Sequence, residues 1–229
     1  MEISNRLKAI SEMVDDGSII GDIGTDHGYI PIYLAKHSRI KHAIACDINK
    51  EPLEIAKKNI KNHNVEEYIE TRLSNGLDKI NRNEVDTIII AGMGGILIKN
   101  ILSCGSDVIQ TVDKLILSPQ SDIDLVRKKI HELNFKISDE RLLKDGGKYY
   151  NIICAVKGHE KKYNTIDYKY GKILIDKRST ILKEKLLLKK NKYTNLILNL
   201  QKQQTDNAIK RKDEIIIELD TINEVLKCL

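Results

Sequence analysis

Four runs in the first 120 residues are almost continuously apolar: "SIIGDIG" (18–24), "HAIACDI" (42–48), "VDTIIIAG" (85–92) and "KLILSP" (114–119). A strand with one face in water alternates apolar and polar residues, so runs this uniform belong to strands covered on both faces. Between them lie stretches with helical character: "IPIYLAKH", "EPLEIAKKNIKNHN", "ILIKNILSCG" and "DIDLVRKKIHELN". "YIETRLSNG" adds a strand, third in order. Strands that alternate with helices make a parallel, doubly wound α/β sheet. Next comes "FKISDERLLKDGGKYYNIICAV", two strand-like runs around a turn at "KDGGK". By analogy of fold, five parallel units closed by an antiparallel hairpin match the Rossmann-like sheet of S-adenosylmethionine-dependent methyltransferases.

Composition shifts after Gly158, which divides the chain into a Rossmann-like domain at 1–158 and a helical domain at 159–229. The chain has no proline after Pro119 and no glycine after Gly171. Leu182, Leu186, Tyr193, Leu196 and Leu200 form one heptad-like seam, and Ile215, Leu219, Ile222, Leu226 and Leu229 form another. Two helices joined near "QQTDN" and packed as an antiparallel, coiled-coil-like hairpin satisfy both seams; a single long helix in a dimer is the competitor. Residues 1–158 carry 22 basic side chains against 23 acidic ones, whereas 159–192 carry 11 against 4. That basic block suits a polyanionic partner, and it is equally the pattern of a solvated helix face. Lys185, Lys189 and Lys192 share one side of the first helix, although Lys189 also falls on the seam.

The cysteines, Cys46, Cys104, Cys154 and Cys228, lie too far apart in sequence for a zinc motif. Reduced thiols in a cytoplasmic protein are expected. "MEISNRLKAISEMV" is a short amphipathic stretch without the apolar core of a signal peptide, and no run approaches a membrane span.

The turn after the first strand, "DIGTDHG", carries Asp22 and Asp26 and neither Lys nor Arg. Gly24 and Gly28 let the backbone approach a ligand, yet the two carboxylates repel a pyrophosphate. A nicotinamide fingerprint would place glycine where Asp26 stands. S-adenosylmethionine suits the loop better, because its sulfonium and ammonium are cationic and its one carboxylate can meet helix N–H groups. The plainer reading has Asp22 anchoring the turn and Asp26 capping a helix. Asp47, with Ile48 beside it, ends the second strand 19 residues after Gly28, where an acid bonds ribose hydroxyls. Asn75 and Gly76 end the third strand, at the adenine position. Ala91 and Gly92 end the fourth, with Met93 following as core or as substrate platform.

"DIGTDHGYIP", "VDTIIIAGMGG" and "LILSPQ" resemble the bacterial tRNA methyltransferases that modify N1 of adenine 22, over nearly the whole chain. The Asp26, His27, Tyr29, Pro31 extension of the glycine motif is the most specific part. The resemblance implies S-adenosylmethionine as methyl donor and tRNA as substrate. It implies Asp26 as a carboxylate beside the reacting adenine, with His27 orienting it or touching RNA. Tyr29 would stack on the base, or else simply pack on the sheet. Pro119 and Gln120 fall in its substrate motif, though Gln120 replaces a common Asn and Asn75 a common Asp. The rival readings are a methyltransferase for another RNA or a small molecule, and a non-catalytic nucleic-acid-binding protein. The oligomeric state stays open, with a monomer favoured.

Overall fold

The computed structural model describes residues 2–202 and 205–229. The chain enters through α1 (Asn5–Ser11), whose N-cap Ser4 accepts the Leu7 N–H on its hydroxyl at 3.3 Å. The apolar runs then become parallel strands: β1 (Ser18–Ile23), β2 (Ile40–Asp47), β3 (Ile69–Leu73), β4 (Thr87–Ala91) and β5 (Lys114–Ser118). The helices between them are α2 (Tyr29–Lys36), α3 (Lys50–Asn62), α4 (Gly95–Cys104), the four-residue α5 (Ser106–Ile109) and α6 (Ile123–Glu132). The hairpin is β6 (Phe135–Asp145) and β7 (Lys148–Lys157), with β7 antiparallel to β5. Asp145 pairs with Lys148 across Gly146 and Gly147, at φ of 54° and 77°. Two successive positive angles define the tight turn that matches the strand twist, and only glycine adopts them freely.

Strand order is β3-β2-β1-β4-β5-β7-β6. The chain works outward from β1 to β3, then restarts on the other side of β1 with β4. The crevice at that reversal, beyond the carboxyl ends of β1 and β4, is where open α/β sheets bind ligands. The uniform apolar runs have their expected cause: Ile88, Ile89 and Ile90 of β4 and Leu115, Ile116 and Leu117 of β5 are fully buried on both faces. Gly95 begins α4 because α4 packs tightly on the α6 entry; a Cβ there would strike the carbonyl oxygens of Ser121 and Asp122.

The chain forms two compact units, Met1–Lys162 and Tyr163–Leu229. Residues just beyond Gly158 stay with the first, because the Glu160 carboxylate accepts the Ile137 N–H at 2.6 Å and pairs with His131 Nε2 at 2.9 Å. The second holds the short helices α7 (Thr165–Tyr170) and α8 (Lys172–Asp176), then the long α9 (Thr180–Leu200) and α10 (Asp206–Cys228). Gln203 and Gln204, within the sequence's expected helix connection, lie outside the described residues. Leu182 and Leu186 of α9 and Ala208, Ile215, Ile222 and Val225 of α10 are buried, so the two seams face each other within one chain. Lys189 sits on the seam side: its ammonium pairs with Glu218 of α10, whose other oxygen accepts the Tyr193 hydroxyl at 3.1 Å. The expected stripe Lys185, Lys189, Lys192 is therefore drawn toward α10 at its centre, where the ammoniums of Lys189 and Lys169 share the Glu218 carboxylate.

In the first unit, Arg127 of α6 and Glu140 of β6 form an ion pair at 2.6 Å, both side chains 1% exposed. Removing one partner strands a buried charge, whereas removing both does not. Glu140→Ala is expected to lower stability by about 3–5 kcal/mol. Arg127→Met with Glu140→Leu should recover most of that loss in urea unfolding followed by circular dichroism.

Candidate active site

β1 delivers Asp22 to the switch-point crevice. Its side chain is buried, and its Oδ2 accepts the Thr25 hydroxyl at 2.6 Å. Burial pushes the Asp22 carboxyl up from the ordinary 3.8 to about 6; the Thr25 bond opposes the rise, and the Asp47 charge adds to it. Past Ile23 the chain turns by binding to the next strand. The Gly24 and Thr25 N–H groups donate to the Cys46 carbonyl at 2.8 and 2.9 Å. Gly24 has a φ of 72°, and a Cβ there would collide with the Met93 methyl.

Asp47, at the end of β2, is also buried. Its Oδ1 accepts the Asn49 N–H at 2.8 Å and its Oδ2 the Asp26 N–H at 3.3 Å. Asp26 adopts φ of 54°, a left-handed angle that costs a side-chain-bearing residue energy, and its carboxylate is 68% exposed. It does not cap α2, whose N-cap is Gly28 with no side-chain bond. His27 Nε2 instead lies 3.5 Å from Asp26 Oδ1, and its ring stacks on Tyr29 with centroids 5.2 Å apart and planes 11° apart. The Cys46 thiol takes no part: burial pushes it up to about 12.

These groups surround a cavity of ≈ 560 Å³, within the size range of small-molecule sites. Of the residues expected from sequence, Asp22, Gly24, Asp47 and Ile48 line one part of it. Asn75, Gly76, Ala91 and Gly92 line another, and Asp26, Tyr29, Met93 and Gln120 line a third. Two do not reach the cavity. Pro119 is buried at the end of β5, and His27 stands behind Asp26 and Tyr29. Lys185, Lys189 and Lys192 belong to the second unit.

Sequence reasoning missed ten of the lining residues, and four of them show why. Thr25 was legible as a hydroxyl inside the glycine loop, three residues from the acid it bonds. Leu97 and Ile101 read only as helix residues. Arg6, on α1, had no local signal, because nothing in an amphipathic N-terminal stretch says that it returns to the far edge of the sheet.

The fold and site define a Rossmann-like methyltransferase. Residues 3–153 match a family model described as "Methyltransferase domain". The chain is 32% identical over 175 residues to the tRNA (adenine(22)-N(1))-methyltransferase of Bacillus subtilis strain 168, covering 76% of this chain and 74% of that protein. The structure of Mycoplasma capricolum TrmK with S-adenosyl-homocysteine superposes with a TM-score of 0.86 at 27% identity, over 100% of this chain and 99% of that one. A Streptococcus pneumoniae protein described as a candidate tRNA (m1A22) methyltransferase, in complex with S-adenosyl-L-methionine, gives 0.88 at 32% identity, over 98% and 100%. This chain belongs to the tRNA (adenine(22)-N(1))-methyltransferase family.

The raised Asp22 value carries a stability signature. Between about pH 4 and 6 the folded chain holds a proton that the unfolded chain releases, so stability falls as pH rises across that window and then levels. Asp22→Asn stays neutral and escapes the fall. In urea unfolding without ligand it should match the parent below pH 4 and exceed it by about 2–3 kcal/mol at pH 7.5.

Proposed function

We propose that this chain transfers the methyl group of S-adenosyl-L-methionine to N1 of adenine 22 in tRNA. The observation that carries this reading is Asp22, a buried carboxylate facing a ligand cavity with Thr25 as its one hydrogen-bond donor. A carboxylate held in that state favours a cationic ligand group. The rest of the cavity fits the same molecule. Asp47 stands where ribose hydroxyls would reach its oxygens, and Ile48, 61% exposed, offers an apolar wall to a purine. Asn75 and Gly76 would edge that purine, while Gly24 and Gly92 leave the floor free of side chains. Bound S-adenosyl-L-methionine supplies an electrophilic methyl carbon on a sulfonium.

The protein's part is to orient and to stabilise charge. Neutral adenine N1 carries its own lone pair, so no base has to act first. N1 lies on the Watson–Crick edge, so the base must leave any pairing to enter. Tyr29, 41% exposed at the rim with His27 stacked behind it, is a ready platform for that base, with Met93 and Leu97 nearby. Methylation leaves the purine cationic. The Asp26 carboxylate, held toward the rim by its left-handed backbone and by His27, would stabilise that charge and accept a proton from N6. One fold thus gives two aspartates different work: Asp22 is buried for the ligand's ammonium, Asp26 exposed for the substrate.

The test is methyl transfer to a tRNA transcript lacking the modification, followed by nucleoside analysis. N1-methyladenosine at position 22 is expected; a different product or none would overturn the reading. Asp26→Asn should slow turnover about 100-fold with cofactor affinity changed less than about threefold.

The helical unit is proposed as a tRNA clamp whose contacts lie on the basic α9. Lys185→Gln with Lys192→Gln should weaken tRNA binding and flatten its log–log salt dependence by up to about two units. Cofactor affinity should not move. Unchanged tRNA affinity and slope would make this face a solvated surface.

A further inference from the structure

Asn59, half-buried on α3, has no part in the proposed chemistry. Asparagine inside a helix weakens it, because the amide competes with the backbone for hydrogen bonds. Here the amide serves another element: its Nδ2 donates to the His27 carbonyl at 3.0 Å. The first carbonyl that α2 engages is that of Gly28, which accepts the Ile32 N–H at 3.1 Å. The His27 carbonyl lies one residue short of that helical bonding, and Asn59 supplies the donor that α2 does not.

α3 meets the loop along one face. Ala56 and Ile60, one turn apart and on the same side as Asn59, are buried. A Cβ placed on Gly28 would sit 3.4 Å from the Ala56 Cβ. The peptide between His27 and Gly28 is thus held by packing against Ala56 and by the Asn59 amide. β2 holds the earlier part of the loop, through the N–H groups of Gly24, Thr25 and Asp26. From His27 onward the hold passes to α3. The side chains that depend on this peptide are the two stacked rings. His27 and Tyr29 flank Gly28, with centroids 5.2 Å apart, and His27 Nε2 lies 3.5 Å from Asp26 Oδ1. Rotation of the peptide would carry the imidazole away from both neighbours. The cofactor cavity, by contrast, touches α3 at Pro52, and Asn59 lies about 10 Å further along the axis.

We infer that Asn59 is a positioning residue for the target adenine: it touches neither base nor cofactor, and it sets the His27–Tyr29 stack on which the base lands. This rests on the methyl-transfer reading above. α3 then serves both reactants, the cofactor at its first turn and the substrate base toward its far end.

Asn59→Leu keeps the shape of the side chain and removes its donor. In steady-state methylation of the unmodified transcript, kcat should fall about 10-fold, the scale of one hydrogen bond, with KM for tRNA within about threefold. Affinity for S-adenosyl-homocysteine, read by calorimetry, should stay within about twofold. The variant should melt no lower than the parent, because leucine suits a helix better than asparagine. Asn59→Gln, which keeps an amide on a longer stem, should regain part of the lost kcat. In a Tyr29→Leu background, where the platform is gone, Asn59→Leu should cost less than about twofold. Unchanged kcat in Asn59→Leu overturns the inference. So does the full 10-fold cost in the Tyr29→Leu background, or a loss that appears in S-adenosyl-homocysteine affinity. A fall in kcat matched by a lower melting temperature makes the bond a stability element and overturns it as well. Failure of the parent chain to form N1-methyladenosine would instead overturn the methyl-transfer reading itself.

Discussion

A parallel sheet covered on both faces has no room for polar side chains along its length, so its chemistry collects at the strand ends. β4 is buried from Thr87 to Ile90 and β5 from Leu115 to Ser118, and after Ser18 the next polar side chain of β1 is Asp22, one residue before its end. That aspartate is the point on which the site depends. It remains inside because Thr25, three residues later, turns back to give it a hydrogen bond, and that turn is possible because Gly24 takes a positive φ against the Met93 methyl. Acid, hydroxyl and glycine are one unit. The Asp22 carboxyl sits well above the usual range because burial outweighs the single hydrogen bond it receives.

The second aspartate of the loop shows how backbone conformation changes the work of the same side chain. Asp26 lies four residues on from Asp22 and points outward. Its N–H is tied to Asp47, its φ is left-handed, and His27 and Tyr29 stack beside it. The loop is therefore fixed chiefly by β2, through the Cys46 carbonyl and the Asp47 carboxylate, rather than by its own residues. A phosphate-binding loop turns its N–H groups toward the ligand; this one directs three of them at β2 and leaves carboxylates facing the cavity.

In the helical unit, charge and packing compete for the same residue. Lys189 lies at helical spacing with Lys185 and Lys192, and also on the apolar seam with Leu182 and Leu186. The seam prevails because Glu218 and Tyr193 supply an acceptor and a ring face within one chain, and a half-buried ammonium needs such partners. The Lys189–Glu218 pair ties α9 to α10 at one fixed register.

The sequence by itself determined the order and kind of the seven strands and of α2, α3, α4 and α6, because apolar runs, helical spacing and the Gly-Gly turn are local and each has one physical solution. It also placed the acids of β1 and β2 at one ligand edge, since strand ends in a parallel sheet coincide. Tertiary structure decided what depends on residues far apart in the chain. Arg6 reaches Gly92 only because α1 packs across the sheet edge against a hairpin some 140 residues later, so its place in the cavity wall had no sequence neighbour to reveal it. His27 was drawn behind Asp26 and Pro119 beneath the sheet edge, although both stand in the most distinctive motifs. Burial made the final assignments, because it sets which carboxyl holds its proton to a higher pH, which cation lacks a partner and which lysine faces a helix instead of water.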